Sequence, residues 1–235
     1  MDNKSELNEF LKKIQLLDRC GLKLIAVVSM VVDHVGTIFF EDASWLRCAG
    51  RLAMPIFCFF VAEGYYHTKD RLKYLTRMGI FALVSELPFD LAFYGVPLYL
   101  NHQNVMFTFF LAMLGMFAYQ EIMTRKTDNV GKIIGVISVL ICGLIAIFLK
   151  TDYNAFGVAL VFIFFVFKDR GLLIQNVVAL MYQFVARGVG IQAWAMLSAV
   201  PLMMYNGEKG RSLKWFFYCF YPGHLLILYL INQFI

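Results

Sequence analysis

The chain has 235 residues, 60% of them hydrophobic, 17% aromatic and only 16% charged, with a mean hydropathy of +0.68. A soluble domain is about half apolar and a quarter charged, so the composition excludes one and points to an all-α, polytopic integral membrane protein. The net charge of +5 carries information through its placement along the chain rather than its size.

Residues 1–21 are polar and charged and lack the apolar core of a cleavable signal peptide, so insertion is expected to rely on the first span itself. Within them Leu7, Phe10, Leu11, Ile14 and Leu17 recur at helical spacing, with Lys12, Lys13 and Arg19 on the other side. That is the pattern of an amphipathic helix in the membrane interface, or of a solvated helical tail. From residue 22 the hydrophobic pattern predicts about nine transmembrane helices, near 22–40, 46–66, 78–97, 104–122, 132–149, 153–168, 171–186, 190–206 and 214–234. The yardstick is the ~20 apolar residues that cross a bilayer. No repeat and no Ser- or Pro-rich linker divides residues 22–235, which read as one transmembrane domain.

Charge placement sets the topology. With the N-terminus in the cytoplasm, the inside segments hold Lys4, Lys12, Lys13, Arg19 and Lys23, then Lys69, Arg71, Lys73 and Arg77, then Arg125, Lys126 and Lys132. They also hold Lys168 and Arg170, then Lys209, Arg211 and Lys214, and the outside keeps only Arg47, Lys150 and Arg187. The positive-inside rule then predicts a cytoplasmic N-terminus and an external C-terminus. The five cysteines, Cys20, Cys48, Cys58, Cys142 and Cys219, form neither a CxxC nor a Cys/His ligand spacing, so no metal is expected. With no Walker loop and no GxGxxG, chemistry is expected within the membrane or at its faces, with the lipid bilayer as a partner and no nucleic acid.

A charged side chain at mid-span costs about 2.5–3.5 kcal/mol on insertion scales, so such groups point to pairing or function. In the first span Ser29, Asp33 and Thr37 recur every four residues and make one polar stripe; His34 sits about 100° round from Asp33. Counting rise per residue places Asp33 and His34 roughly 3–5 Å, and Arg51 of the second span roughly 7–8 Å, to the outer side of the midplane. A short antiparallel hairpin can therefore bring Arg51 to Asp33; alternatively Asp33 orients His34. An imidazole beside a carboxylate at that depth can take and release a proton near neutral pH.

Further along, Glu86 is near the midplane of the third span, Asp90 lies one turn beyond it, and Pro88 predicts a kink. Asn104 and Thr108, one turn apart, open the fourth span, and Asp152 lies near the end of a hairpin. His224 follows Pro222 and Gly223, where a helix break is expected. Glu63 lies near the end of its helix, within reach of the interface or of Lys69. The loop holding Lys69, Arg71, Lys73 and Arg77 reads as a topology determinant or as a phosphate holder. His67 and His102 read as loop residues with little signal.

The blocks KLIAVVSMVVDHVG, GRLAMPIFCFFVAEGYYHTKDRLKYLTRM, SELPFDL, NVMFT, DYNAFGV and FYPGHL, in that order from Lys23 to Leu225, resemble the TraX family of bacterial membrane proteins. In DYNAFGV, Asn154 stands where the family pattern leads one to expect glycine. The founding member is associated with N-terminal acetylation of a conjugative pilin, and the family is similar to a wider group of transmembrane acyltransferases. In that wider group an acyl group comes from cytoplasmic acyl-CoA, and a histidine within the membrane is thought to be the base. The resemblance places Asp33, His34, Arg51, Glu63, Glu86, Asn104, Thr108, Asp152 and His224 on matching motif positions and implies the bacterial cytoplasmic membrane.

The function expected from this is a membrane acetyltransferase. Acetyl-CoA would be the co-substrate, held by Lys69, Arg71, Lys73 and Arg77. His34 would be the base, with Asp33 fixing its tautomer, and Arg51 or Asn104 would stabilise the oxyanion. Glu63, Glu86, Asp90, Asn104, Thr108, Asp152 and His224 would line a polar cavity. The acceptor stays open between an amine and a hydroxyl, on a pilin-like protein or a glycan. The alternatives are a small proton-coupled transporter, which buried Asp33, His34, Glu86 and Asp90 would suit, and a non-catalytic assembly partner.

Overall fold

The computed structural model describes residues 9, 13–40, 42–211 and 213–234. Of the amphipathic segment expected within residues 1–21, residues 1–8 and 10–12 lie outside the described residues. The elements in chain order are α1 (Arg19–Phe39), α2 (Ser44–Gly50), α3 (Ala53–His67), α4 (Arg71–Tyr94), α5 (Val105–Arg125), α6 (Asn129–Phe148), α7 (Asn154–Val166) and α8 (Leu172–Arg187). A 3-10 helix (Ile191–Ser198), α9 (Ala199–Met203) and α10 (Lys214–Phe234) complete them. Among the described residues there is no sheet, only two isolated bridges.

Helix starts follow local chemistry. Asp18, Asp70 and Asp128 each accept a backbone N–H of the first turn, from Gly21 at 2.7 Å, Lys73 at 2.9 Å and Gly131 at 2.8 Å, and so satisfy donors that have no partner within the helix. Gly95, at φ 69°, ends α4 in the left-handed conformation that glycine adopts without strain.

Five helical stretches are long and apolar enough to cross a membrane: Arg19–Phe39, Ser44–His67, Val105–Arg125, Asn129–Phe148 and Trp215–Phe234. They coincide with five of the nine expected spans. The nine are not matched by nine such helices. α4 has 24 residues but carries charge at both ends, and α7 has 13 residues, about 20 Å of helix against a hydrocarbon core of ~30 Å.

The distribution of side chains is that of a protein solvated by lipid. α6 exposes Ile133, Ile137, Leu140, Leu144 and Phe148, the last at 84%, and buries Gly131, Gly135, Cys142 and Gly143. α8 exposes Val177, Met181 and Val185 and buries Gln175, Asn176 and Gln183. Large apolar faces turned outward mark contact with a membrane. The chain is a multi-pass membrane protein.

The described chain forms two compact units. Unit 1 is Met1–Phe57 with Phe167–Phe216, and unit 2 is Cys58–Val166 with Phe217–Ile235. In unit 1, α2 packs on α1 and on the 3-10 helix, and residues 17–19 are clipped to 204–208 by three backbone hydrogen bonds of 2.8–2.9 Å. In unit 2, α5 packs against α4, α6 and α7. The close approach of α6 to α5 needs its glycines: a Cβ on Gly135 would stand 2.7 Å from the Tyr119 ring.

Two expectations about helix continuity are revised. α10 runs through Pro222 and Gly223 without the expected break, and α4 is one helix through Pro88. The break falls at Arg51 and Leu52, inside the second expected span. Its cause is Pro55, which has no N–H to offer the carbonyl of residue 51.

Candidate functional site

In unit 1 the polar stripe of α1 meets α2 at the broken span. Ser29 Oγ donates to the Ala49 carbonyl at 2.6 Å. Asp33 Oδ1 accepts from Arg47 Nε at 3.0 Å and from Arg51 Nη2. Arg51, only 5% exposed, also donates through Nε to the Arg47 carbonyl at 3.1 Å. The guanidinium thus satisfies a carboxylate and a carbonyl of the broken helix together.

Gly50 permits this approach. A Cβ there would fall on the Asp33 side chain. Thr37, third in the stripe, bonds the Asp33 carbonyl on its own helix at 2.8 Å instead. Two arginines donate to Asp33 Oδ1, and His34 is half-buried on the adjoining face of α1.

At the α4 C-terminal end of unit 2 a second polar cluster forms. Glu86 and Asp90 are one turn apart on one face of α4, and the 95–104 loop folds back onto them. Tyr99 N donates to Asp90 Oδ2 at 2.8 Å. Asn104, fully buried, caps α5 by accepting from Met106 N at 3.0 Å. Its Nδ2 donates to the Ala82 carbonyl at 2.9 Å and to Glu86 Oε2. The other oxygens, Glu86 Oε1 and Asp90 Oδ1, are buried without a hydrogen-bond partner among the described residues.

The same loop is stitched to the turn before α7. Gln103 N donates to the Lys150 carbonyl at 3.1 Å, and Asp152 N donates to the Gln103 carbonyl at 2.8 Å. Thr108 Oγ1 lies 2.9 Å from Thr151 Oγ1 and contacts the Asp152 carbonyl. Lys150, Tyr153 and Asn154 all have positive φ, at 54°, 63° and 35°, so the turn is held in a conformation costly for ordinary residues.

His102 Nε2 stands 3.7 Å from Asp152 Oδ1, and the Tyr94 hydroxyl is hydrogen-bonded to His102 Nδ1. The Asp152 carboxylate holds the His102 imidazole above its usual pKa; burial opposes this, and Glu86 and Asp90 add to the rise.

His224 lies within α10, its ring 5.7 Å from that of Tyr221. Its ring stacks on Phe220 at 5.0 Å and its Nδ1 is 2.8 Å from the Phe220 carbonyl. Glu63, buried, pairs with His67 one turn on at 2.9 Å rather than with Lys69.

At the other end of α4 the four basic residues divide. Lys69 and Lys73 are exposed, while Arg71 and Arg77 are half-buried. Arg71 lies over the Tyr65 ring at 5.1 Å and Arg77 over Tyr74 at 5.8 Å. The Nε of each is buried without a hydrogen-bond partner, and so is the Tyr65 hydroxyl. Among the described residues no group of three His, Cys, Asp or Glu is placed to hold a metal ion.

Sequence reasoning missed Arg47, whose signal was its i, i+4 spacing to Arg51, and His102 with Tyr94, for which no local signal existed.

Comparison with known proteins places the chain. The family model described as TraX protein matches residues 18–232. The chain is 28% identical over 236 residues to the Dichelobacter nodosus protein named "Probable fimbrial assembly protein FimC, serogroup H1", covering 88% of this chain and 92% of that one. It is 30% identical over 92 residues to Protein TraX of Escherichia coli, 39% of this chain and 36% of that one. An uncharacterized protein of Rickettsia prowazekii (strain Madrid E) is 36% identical over 66 residues, 28% of this chain and 25% of its own length. No solved structure gives a significant match. With its match running from residue 18 to residue 232, the chain belongs to the TraX protein family.

Proposed function

We propose that the chain is a membrane-embedded acyltransferase that moves an acetyl group from cytoplasmic acetyl-CoA to an amine or hydroxyl acceptor. The observation that carries this reading is the pair Arg71 and Arg77 at the start of α4. Each guanidinium is set against a tyrosine face and keeps a buried Nε donor unspent. Arginine's planar fork suits phosphate oxygens, and the partly exposed side chains of Arg71 and Arg77 would meet the 3′-phosphate and diphosphate of CoA. Lys69 and Lys73, exposed beside them, would add attraction at longer range.

His34 is the general base in this reading. Arg47 and Arg51 set two guanidiniums beside the one carboxylate of Asp33, donors suited to a developing oxyanion. The lysine and arginine placement supports an N-terminus inside and a C-terminus outside, and the family resemblance supports the bacterial cytoplasmic membrane. A pilin-like acceptor agrees with the name of the Dichelobacter relative; a glycan is the other candidate. A second reading, a proton-coupled carrier, draws on the unpartnered oxygens of Glu86 and Asp90.

Binding of radiolabelled acetyl-CoA to the purified protein tests the reading. R71Q/R77Q is expected to weaken binding, most at low salt, where charge attraction is least screened. Binding equal to that of the wild type in this double variant would remove the phosphate site.

A further inference from the structure

The cluster at the α4 C-terminal end of unit 2 has a use that its separate residues do not reveal. The Tyr94 hydroxyl, the His102 imidazole and the Asp152 carboxylate stand in series. His102 Nε2 faces the carboxylate, so Nδ1 is the nitrogen that accepts from the phenol. This is the order of a hydroxyl–imidazole–carboxylate chain, which lets an oxygen accept and pass on a proton.

The chain is pinned on every side. Gln103, next to His102, makes two backbone hydrogen bonds to the 150–152 turn, and Asn101 accepts from Lys150 Nζ at 2.7 Å. Tyr99 stacks on Tyr94 at 3.9 Å while its backbone holds Asp90. Tyr94 is nevertheless 37% exposed, so the residue is not closed off from a ligand.

We propose that Tyr94, His102 and Asp152 form a proton-exchange site at the α4 C-terminal end of unit 2, acting on a hydroxyl- or amine-bearing ligand. In the step, the ligand's O–H or N–H bond breaks and its proton bonds to the Tyr94 oxygen. The Tyr94 O–H bond breaks as its proton bonds to His102 Nδ1, and Asp152 balances the imidazolium. His102, whose side chain is 37% exposed, then returns the proton to water. Nothing is oxidised or reduced. Tyr94 is the catalytic residue; His102 and Asp152 are positioning residues.

The charged and titratable groups facing His102 are Tyr94, Glu86 and Asp90 from α4 and Asp152 from the turn. Lys150 is engaged with Asn101, and Tyr221 of α10 lies within electrostatic reach of Asp152 and Glu86. The proposal rests on the acyl-transfer reading for one thing only, that the ligand is the acceptor, and it sets Tyr94 in place of His34 as the group that takes the acceptor's proton.

The test has two readouts on the full-length protein in detergent. The first follows the His102 ring by NMR of 13C-labelled histidine, assigned with H102Q. D152N is expected to move its titration midpoint to lower pH, because the carboxylate that favours the imidazolium is gone. An unchanged midpoint would overturn the chain whether or not acyl transfer is observed. The second is transfer of labelled acetyl groups to a membrane fraction. H102Q and Y94F are expected to lose about 10²-fold or more, the range for acid–base groups, with acetyl-CoA binding kept. D152N is expected to lose less and to shift the acid limb of the pH–rate profile downward. Active wild type with an equally active H102Q overturns this proposal alone. Wild type that transfers nothing overturns the acyl-transfer reading instead.

Discussion

Replacing Arg51 by methionine perturbs the centre of unit 1 in a way whose size follows from its surroundings. Breaking a buried ion pair by removing one partner costs about 3–5 kcal/mol, because it strands a charge. Asp33 keeps Arg47 at 3.0 Å, so the loss falls towards the ~1.5–3 kcal/mol of a hydrogen bond to a charged group. Arg47→Met removes a side chain that is 36% exposed, and solvent screening lowers its cost to roughly 0.2–1 kcal/mol. Asp33→Leu removes the carboxylate that Arg47 and Arg51 share and is expected to cost more than either arginine variant, up to about 3–5 kcal/mol. The double variant D33L/R51M removes both members of one contact, so it should be milder than the two singles added together, by at least about 1 kcal/mol. The assay is unfolding of the purified protein in detergent, followed by tryptophan fluorescence, with Trp45 in the first turn of α2 as the local reporter. Equal losses for R47M and R51M, or strict additivity of D33L and R51M, would refute this reasoning.

Two further predictions use the same assay. Gly50→Ala would place a Cβ on the Asp33 side chain and is expected to destabilise by ~1–3 kcal/mol, although alanine favours a helix over glycine by about 1 kcal/mol; a net gain would show that α2 has room to move. His102 has a raised pKa because Asp152 favours its charged form, so the stabilisation it contributes is fully present below the unfolded value of ~6.5. It is lost as pH rises through the folded value above that, and D152N should flatten this part of the stability profile relative to wild type.

The sequence made some of this legible for physical reasons. Depth counting brought Arg51 to Asp33 because both lie in long spans joined by a short loop, and span depth is fixed by helix rise. Asn104 and Thr108 were legible as one face from their spacing, though not their partners, because Thr151 lies 43 residues from Thr108. His102 carried no local pattern at all; its meaning comes from Asp152, fifty positions on, brought near by the bridge between Gln103 and Thr151.

Prolines misled because position within a helix decides their effect. Pro55 breaks a span while Pro88 and Pro222 are absorbed inside continuous helices. The buried amides of α8, Gln175, Asn176 and Gln183, escaped notice because a search for charge passes over neutral polar groups. Asn154 looked like a departure from the family pattern, and its φ of 35° explains why glycine would suit that position and why asparagine is tolerated there.

The measurement that tests the central claim most directly is transfer of a labelled acetyl group from acetyl-CoA by the purified protein to a membrane fraction, comparing wild type with His34→Ala. The account predicts transfer by wild type, and a loss of about 10²–10⁴-fold in the variant with acetyl-CoA binding preserved. A folded His34→Ala protein that transfers at the wild-type rate would contradict the role of His34, and a wild type that transfers no label to any fraction would contradict the acyltransferase itself.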